Sequence, residues 1–272
     1  MQSKKQLKVS IVVSDLSSAG AGRWGGGGVR SFLLAQALQK LDYQVEILGF
    51  VFGDEPAVSF QSQIKVSTFN GYNYPRFLSS ASQLVKKIDG DIVYAMRPKA
   101  STFGLSLLKR LKTKKPIILD IDDWELSWSG GEKWQYRPSL KQFARDVLKR
   151  EGALRYPDHQ LYTKWMEDMS YKADVITIHT QFLKKRFGGV YIPNGKDTSL
   201  FNPELYNSQE SKKRYGLSEH KILMFPGAPR PYKGVEDVLI ALDNLNDSSL
   251  KLVIVGGSPY DDYDAQLREK WG

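Results

Sequence analysis

Apolar and polar positions follow two alternating rhythms along most of this chain. Short apolar runs at 8–14, 44–51, 91–95, 116–121, 174–178 and 190–192 read as buried strands. Between them, apolar residues recur at helical spacing. Phe32, Leu33, Ala35, Ala37, Leu38 and Leu41 mark a helix over 29–41, and similar patterns mark helices over 100–111 and 160–172. The alternation resumes after Asn207, with strands at 221–225 and 250–255 and a helix over 234–245. Strands that alternate with helices predict parallel sheets covered on both faces, an α/β fold. The composition turns to Ser, Gln, Glu and Lys after Asn207, which places a domain boundary near 200 and gives domains 1–200 and 201–272. The second domain shows only two strands before Gly272, against about five or six in a doubly wound domain. A fragment of a longer protein is therefore the expectation.

The 272 residues suit two domains, and 41% hydrophobic with 25% charged residues is ordinary for a globular chain. The absence of Cys excludes disulfides, thiolate zinc sites and Cys nucleophiles, and fits a cytoplasmic setting. The first apolar run, 9–13, is too short for a signal-peptide core or a membrane span. Charge is uneven. Residues 1–190 carry 29 Lys and Arg against 18 Asp and Glu, while 191–272 carry 10 against 12. A basic first half suits nucleic acid, anionic lipid or a phosphorylated substrate, or is simply a solvated set of helix faces.

Four segments could carry chemistry. Gly25-Gly26-Gly27-Gly28 joins the first strand to the first helix, where backbone can approach a phosphate beside a helix N-terminus. It lacks the spacing of the dinucleotide fingerprint and the Lys-Ser/Thr of a P-loop. Pro226 to Gly234 joins a later strand to a helix, with Arg230 and Lys233 just ahead of the helix start, which suits a diphosphate. Asp120-Ile121-Asp122-Asp123-Trp124-Glu125 ends a strand on the side where ligands bind in open α/β sheets. Carboxylates so crowded need a cation, a sugar hydroxyl or Arg partners, and Asp120-x-Asp122 can also hold a metal on nucleotide phosphates. Ile192-Pro193-Asn194-Gly195-Lys196-Asp197 reads as a tight turn after a strand. Among the histidines, His179 ends a strand on the ligand side, whereas His159 reads as a surface or capping residue and His220 as a turn residue.

Taken in order, these segments resemble glycosyltransferase family 4. Gly26-Gly27-Gly28 through Val45 is similar to the family's opening loop and first helix, and Asp91-Ile92-Val93-Tyr94 to its next strand motif. Ala173-Asp174-Val175-Ile176-Thr177 resembles its "ADxVI" strand, and Ile192-Pro193-Asn194-Gly195-x-Asp197 with Phe201 and Pro203 its most specific signature. Gly227 to Gly234 resembles its "G-x5-KG" loop, and Lys251 to Gly256 the strand that follows. The resemblance implies a GT-B fold: one complete Rossmann-like domain on the acceptor side and the first part of a second, donor-binding one. It implies retaining transfer of a sugar from a nucleotide-sugar donor to a polysaccharide, a lipid-linked sugar or another acceptor hydroxyl, without a metal and with no nucleic-acid partner. Peripheral contact with an anionic membrane at the inner face fits the basic first half.

By the same resemblance, Asp122 and Asp123 stand where the family carries a His-Asp pair and are the catalytic candidates. Gly26, Gly27, Gly28, Arg230 and Lys233 would hold the donor, and His179, Asn194 and Asp197 would line the interdomain cleft. The family's Arg after the first glycine of the second loop is Ala228 here, with Arg230 two residues on. Its Ser after the "ADxVI" strand is His179. Its Glu-x7-Glu segment has no counterpart up to Gly272. The alternative reading is a truncated or degenerate transferase that binds without catalysing.

Overall fold

The computed structural model describes residues 6–17, 28–52, 64–199, 201–257 and 262–271. The chain divides into two compact units, Met1–Asp197 and Thr198–Gly272. The first is built on seven parallel strands: β1 (Lys8–Val13), β2 (Gln44–Val51), β3 (Lys65–Asn70), β4 (Ile92–Met96), β5 (Ile117–Ile121), β6 (Val175–Ile178) and β7 (Val190–Tyr191). Their order across the sheet is β3-β2-β1-β4-β5-β6-β7. Six helices accompany them among the described residues: α1 (Gly28–Lys40), α2 (Phe77–Lys87), α3 (Leu105–Thr113), α4 (Leu140–Leu148), α5 (Gln160–Asp168) and α6 (Gln181–Phe187).

The central strands are apolar at nearly every position because both sheet faces are covered. Alternate residues serve alternate cores. Val12, Leu48, Phe50, Leu119 and Ile121 pack with Phe77 and Leu84 of α2 on one face. Ile11, Val13, Ile47 and Met96 pack with Phe32 and Ala35 of α1 on the other.

Strand order reverses between β1 and β4: the chain runs outward through β2 and β3 on one side, then through β4 to β7 on the other. In open parallel sheets the crevice at the carboxyl ends of such a pair is where ligands bind. Two predicted helices differ in detail. The run 100–111 opens as a wide π-type turn, Ala100–Gly104, before α3 begins. There the Asp158 carboxylate accepts from the Ser101 N–H at 3.0 Å and its hydroxyl at 2.6 Å, while the Thr102 hydroxyl donates to the Arg97 carbonyl at 2.7 Å. The run 160–172 ends its α-helix at Asp168 and finishes in a separate 3-10 turn, Ser170–Lys172.

The second unit holds α7 (Ser208–Arg214), β8 (Lys221–Pro226), α8 (Val235–Leu245), β9 (Leu250–Val255) and α9 (Tyr263–Trp271). Its two strands are parallel, with Leu223 opposite Leu252 and Phe225 opposite Ile254. Val235, Tyr263 and Leu267 form its core against Phe225, Leu239, Leu252 and Ile254. Among the described residues no helix is long and apolar enough to cross a membrane.

Candidate functional site

The carboxyl ends of β4, β5 and β6 gather the charges of the first unit. Asp120, on β5, is fully buried. It accepts from Arg30 Nε at 2.8 Å and Nη2 at 3.0 Å, and from the Thr177 hydroxyl of β6 at 2.7 Å. Because Thr177 spends its one proton on Asp120, the Tyr94 hydroxyl, 2.8 Å away, is the donor to Thr177. Burial, then the Asp120 charge, pushes the Tyr94 phenol above its ordinary value and keeps it a donor. Burial works against the Arg30 charge, but its bonds to Asp120 outweigh that and hold its pKa above the ordinary value. Arg30 lies in the first turn of α1 and also donates to Asn194 Oδ1 at 2.7 Å and the Ile192 carbonyl at 3.0 Å. One guanidinium thus ties the start of α1, the end of β5 and the segment after β7 together.

A second arginine sits at the switch point itself. Arg97 follows β4 and is held in the left-handed region at φ +71°, with its N–H donating to the Asp120 carbonyl at 2.7 Å. For a residue with a Cβ this backbone costs energy and tends to persist at functional sites. Its buried side chain reaches Asp122 through Nε at 2.7 Å and Nη2 at 3.1 Å, and Glu125 through Nη1 at 2.5 Å. Lys99 Nζ adds a contact to Glu125 at 3.6 Å. Burial opposes the Arg97 charge, yet the Asp122 and Glu125 carboxylates raise its pKa well above the usual arginine value. Arginine pairing, one of the compensations open to crowded carboxylates, is present here. Among the described residues no three His, Asp or Glu side chains gather as a metal-holding group.

Of the predicted residues, Asp122 is paired with Arg97, and Asp123 accepts from Trp128 Nε1 at 3.0 Å. His179 follows β6, its Nδ1 buried without a hydrogen-bond partner. Asn194 and Asp197 line a cleft of about 220 Å³ beside α1, together with Arg30, Leu33, Lys40 and Pro193. Lys40 Nζ lies 3.9 Å from Asp197. Gly28 is the first residue of α1, while Gly26 and Gly27 fall outside the described residues. His159 caps α5, its Nδ1 accepting from the Leu161 N–H at 3.2 Å.

In the second unit, the loop from Pro226 leads into α8. Lys233 Nζ donates to the Ala228 carbonyl at 2.9 Å, bracing the loop from within, and Arg230 precedes the short turn Pro231–Lys233. The end of β9 closes against this loop so tightly that a Cβ on Gly256 would meet the Gly227 backbone at 2.7 Å, a contact only glycine permits.

Arg30, Arg97 and Glu167 lie outside the four candidate segments, and Thr177 lies in the "ADxVI" strand with no role assigned to it. Glu167, on α5, is 7% exposed, and one carboxylate oxygen lacks a hydrogen-bond partner. Burial pushes its carboxyl up to about 7, against the opposing charge of Arg186, which stacks 3.7 Å over the Trp124 ring, and the Leu126 N–H. The unfolded chain releases this proton near pH 4.5 and the folded chain only near 7, so stability falls as pH rises through that window. Glu167→Gln is expected to add about 2–3 kcal/mol at pH 8 and almost nothing at pH 4. Urea unfolding at both pH values checks this, and an equal effect at both would contradict it.

The fold is that of two solved glycosyl-transferring proteins, which puts the chain in the GT-B class. A glycosyltransferase from Rickettsia africae ESF-5 superposes with a TM-score of 0.60 at 16% identity, over 98% of this chain and 65% of that one. An alpha,alpha-trehalose 6-phosphate synthase from Burkholderia multivorans does so with 0.51 at 14% identity, over 97% and 68%. Residues 24–200 match the family described as Glycosyltransferase Family 4, and the chain belongs to that family. Its similar curated relatives include a GDP-mannose-dependent alpha-(1-6)-phosphatidylinositol monomannoside mannosyltransferase of Mycobacterium tuberculosis, 32% identical over 97 residues. Its namesake in Mycolicibacterium smegmatis is 30% identical over 98. The matched part is 32% of this chain and about a quarter of each relative, 25% and 26%.

Proposed function

We propose that this chain takes part in retaining transfer of a sugar from a nucleotide-sugar to an acceptor hydroxyl of a polysaccharide, a glycolipid or another acceptor. The observation that carries the reading is the charged cluster at the switch point between β1 and β4, Arg97 with Asp122 and Glu125, in a chain of glycosyltransferase family 4. Asp122 and Asp123 are the carboxylates that would contact the reacting sugar or the acceptor hydroxyl. Arg97 fixes Asp122 in place as a positioning residue. Asn194 and Asp197 line the cleft beside α1, and His179 stands at the end of β6.

The chemical demand is charge on the leaving nucleoside diphosphate. Arg230 and the N–H groups opening α8 are suited to meet it, because fixed donors there need no reorganisation as charge develops; Gly26, Gly27 and Gly28 are the other residues proposed for the donor. Lys233 is the second cation proposed for the donor, and its bond to the Ala228 carbonyl also holds the loop's shape. The transfer proceeds without a metal in this reading, since Asp120 and Asp122, the pair spaced to take one, already face guanidinium groups. The names of the mycobacterial relatives favour a lipid-borne acceptor, and the basic first half favours peripheral contact with an anionic membrane.

Incubation with GDP-mannose, UDP-glucose or ADP-glucose together with glycolipid and oligosaccharide acceptors, followed by NMR of the glycosylated product, tests the reaction. Nucleoside diphosphate released with the donor's anomeric configuration kept in the product is the expected result, unchanged by EDTA. An inverted anomer or loss of turnover with EDTA contradicts it. Nucleotide uptake without turnover would identify a binding module.

A further inference from the structure

Helix α4 is amphipathic in the reverse sense for a helix on a globular surface, whose apolar stripe normally faces the core. At about 100° per residue, Leu140, Phe143, Ala144, Val147 and Leu148 share one arc. That arc faces solvent: Leu140 is 91% exposed and Leu148 75%, with Phe143 and Val147 exposed beside them. The buried side of the helix carries Asp146, whose carboxylate accepts from the Tyr136 hydroxyl at 2.8 Å. Tyr136 stands edge-on to His159 at 5.7 Å, and His159 in turn to Tyr162 at 6.2 Å. The helix is thus seated by a polar bond on an aromatic platform.

Its two ends are fixed. Ser139 caps the start by accepting from the Gln142 N–H at 3.2 Å, and the chain returns so tightly after the end that a Cβ on Gly152 would lie 2.2 Å from the Asp146 carbonyl. The outward apolar face is therefore a held feature of the fold. Around it, residues 133–150 contain six cations, all exposed, and a single acid, the buried Asp146. Lys141 flanks the apolar arc, and Lys149 and Arg150 follow its end.

We infer that α4 is a membrane-docking surface for an anionic lipid leaflet, lying in the plane of the interface with Leu140, Phe143, Val147 and Leu148 among the acyl chains and the surrounding Lys and Arg on the headgroups. A short helix with one apolar face and cations beside it binds in this way, while nine residues are too few to cross. The surface stands on the exposure and charge of α4. Its use, presenting the chain to a lipid-borne acceptor, rests on the function proposed above.

Sedimentation of the whole chain with vesicles tests it. Partition into vesicles of equal phosphatidylcholine and phosphatidylglycerol should exceed that into pure phosphatidylcholine by about tenfold or more and fall as salt rises. The variant Leu140→Ser/Phe143→Ser/Leu148→Ser should lose at least about tenfold of the binding. Lys141→Glu/Lys149→Glu/Arg150→Glu should lose the preference for anionic vesicles. Both variants change exposed side chains and are expected to melt like the wild type. Failure of the wild-type chain to partition, or undiminished partition of the first variant, overturns the inference. So does self-association of the wild type that the first variant abolishes, since a second copy would then cover the face. Nucleotide uptake, measured by calorimetry on the same variants, should stay at the wild-type level, so a failed docking surface and a failed transferase reading give different results.

Discussion

Arg30→Met should lower the unfolding free energy by about 3–5 kcal/mol, because it removes both guanidinium bonds from the fully buried Asp120 carboxylate. For a unit of this size the melting temperature should drop by roughly 6–20 °C. Asn194 and the Ile192 carbonyl lose the same donor, so hydrogen exchange should rise along the segment after β7 as well as at the start of α1. Arg30→Met combined with Asp120→Leu should recover much of the loss, since a buried ion pair is often worth little more than well-packed apolar groups. Chemical denaturation of the two single variants and the double variant measures the coupling. A loss under about 1 kcal/mol for Arg30→Met would mean the buried network does not organise this end of the sheet.

Arg97→Met should cost a comparable 3 kcal/mol or so, and its larger effect should fall on function. It strands two partly buried carboxylates, Asp122 and Glu125, and removes the side chain that aligns the segment after β5. If Asp122 must be held to meet a sugar or an acceptor hydroxyl, turnover should fall about a hundredfold even in the fraction that remains folded. Arg97→Lys keeps the charge but loses the two-point grip on Asp122, so most of the loss should remain. Steady-state rates beside circular dichroism at the same temperature separate the two effects. Turnover at the wild-type level in folded Arg97→Lys would show that Asp122 needs no such alignment.

The strands with unbroken apolar runs were legible because burial on both faces leaves a plain mark in sequence. Strand β3 was not, since Lys65-Val66-Ser67-Thr68-Phe69-Asn70 lies at the sheet edge and its polar residues leave no apolar run. Helix α2 hid for a related reason: its Ser79-Ser80-Ala81-Ser82 stretch looks like a connector until Phe77 and Leu84 find the core. Helix α4 broke the usual expectation outright by keeping its apolar arc in solvent.

At the site, the sequence showed that several carboxylates met at one strand end and that something had to neutralise them. It could not show which arginines did so. Arg30 lies 90 positions from Asp120, a contact set by the order of strands across the sheet and by no local periodicity. Arg97 carried one readable hint, a cation immediately before a proline at a strand end, but its left-handed backbone is a tertiary feature. The grip of Lys233 on the Ala228 carbonyl follows from the fold of its own loop and has no local mark in the sequence.

Sugar transfer of this kind depends on capture of a nucleoside diphosphate, and calorimetric titration of the chain with GDP, UDP and ADP tests that step directly. Saturable uptake of at least one is predicted, weakened about tenfold to a hundredfold by Arg230→Ala through loss of a charge-assisted contact. No heat of binding with any of the three, or an unchanged Kd in the Arg230→Ala variant, would contradict it.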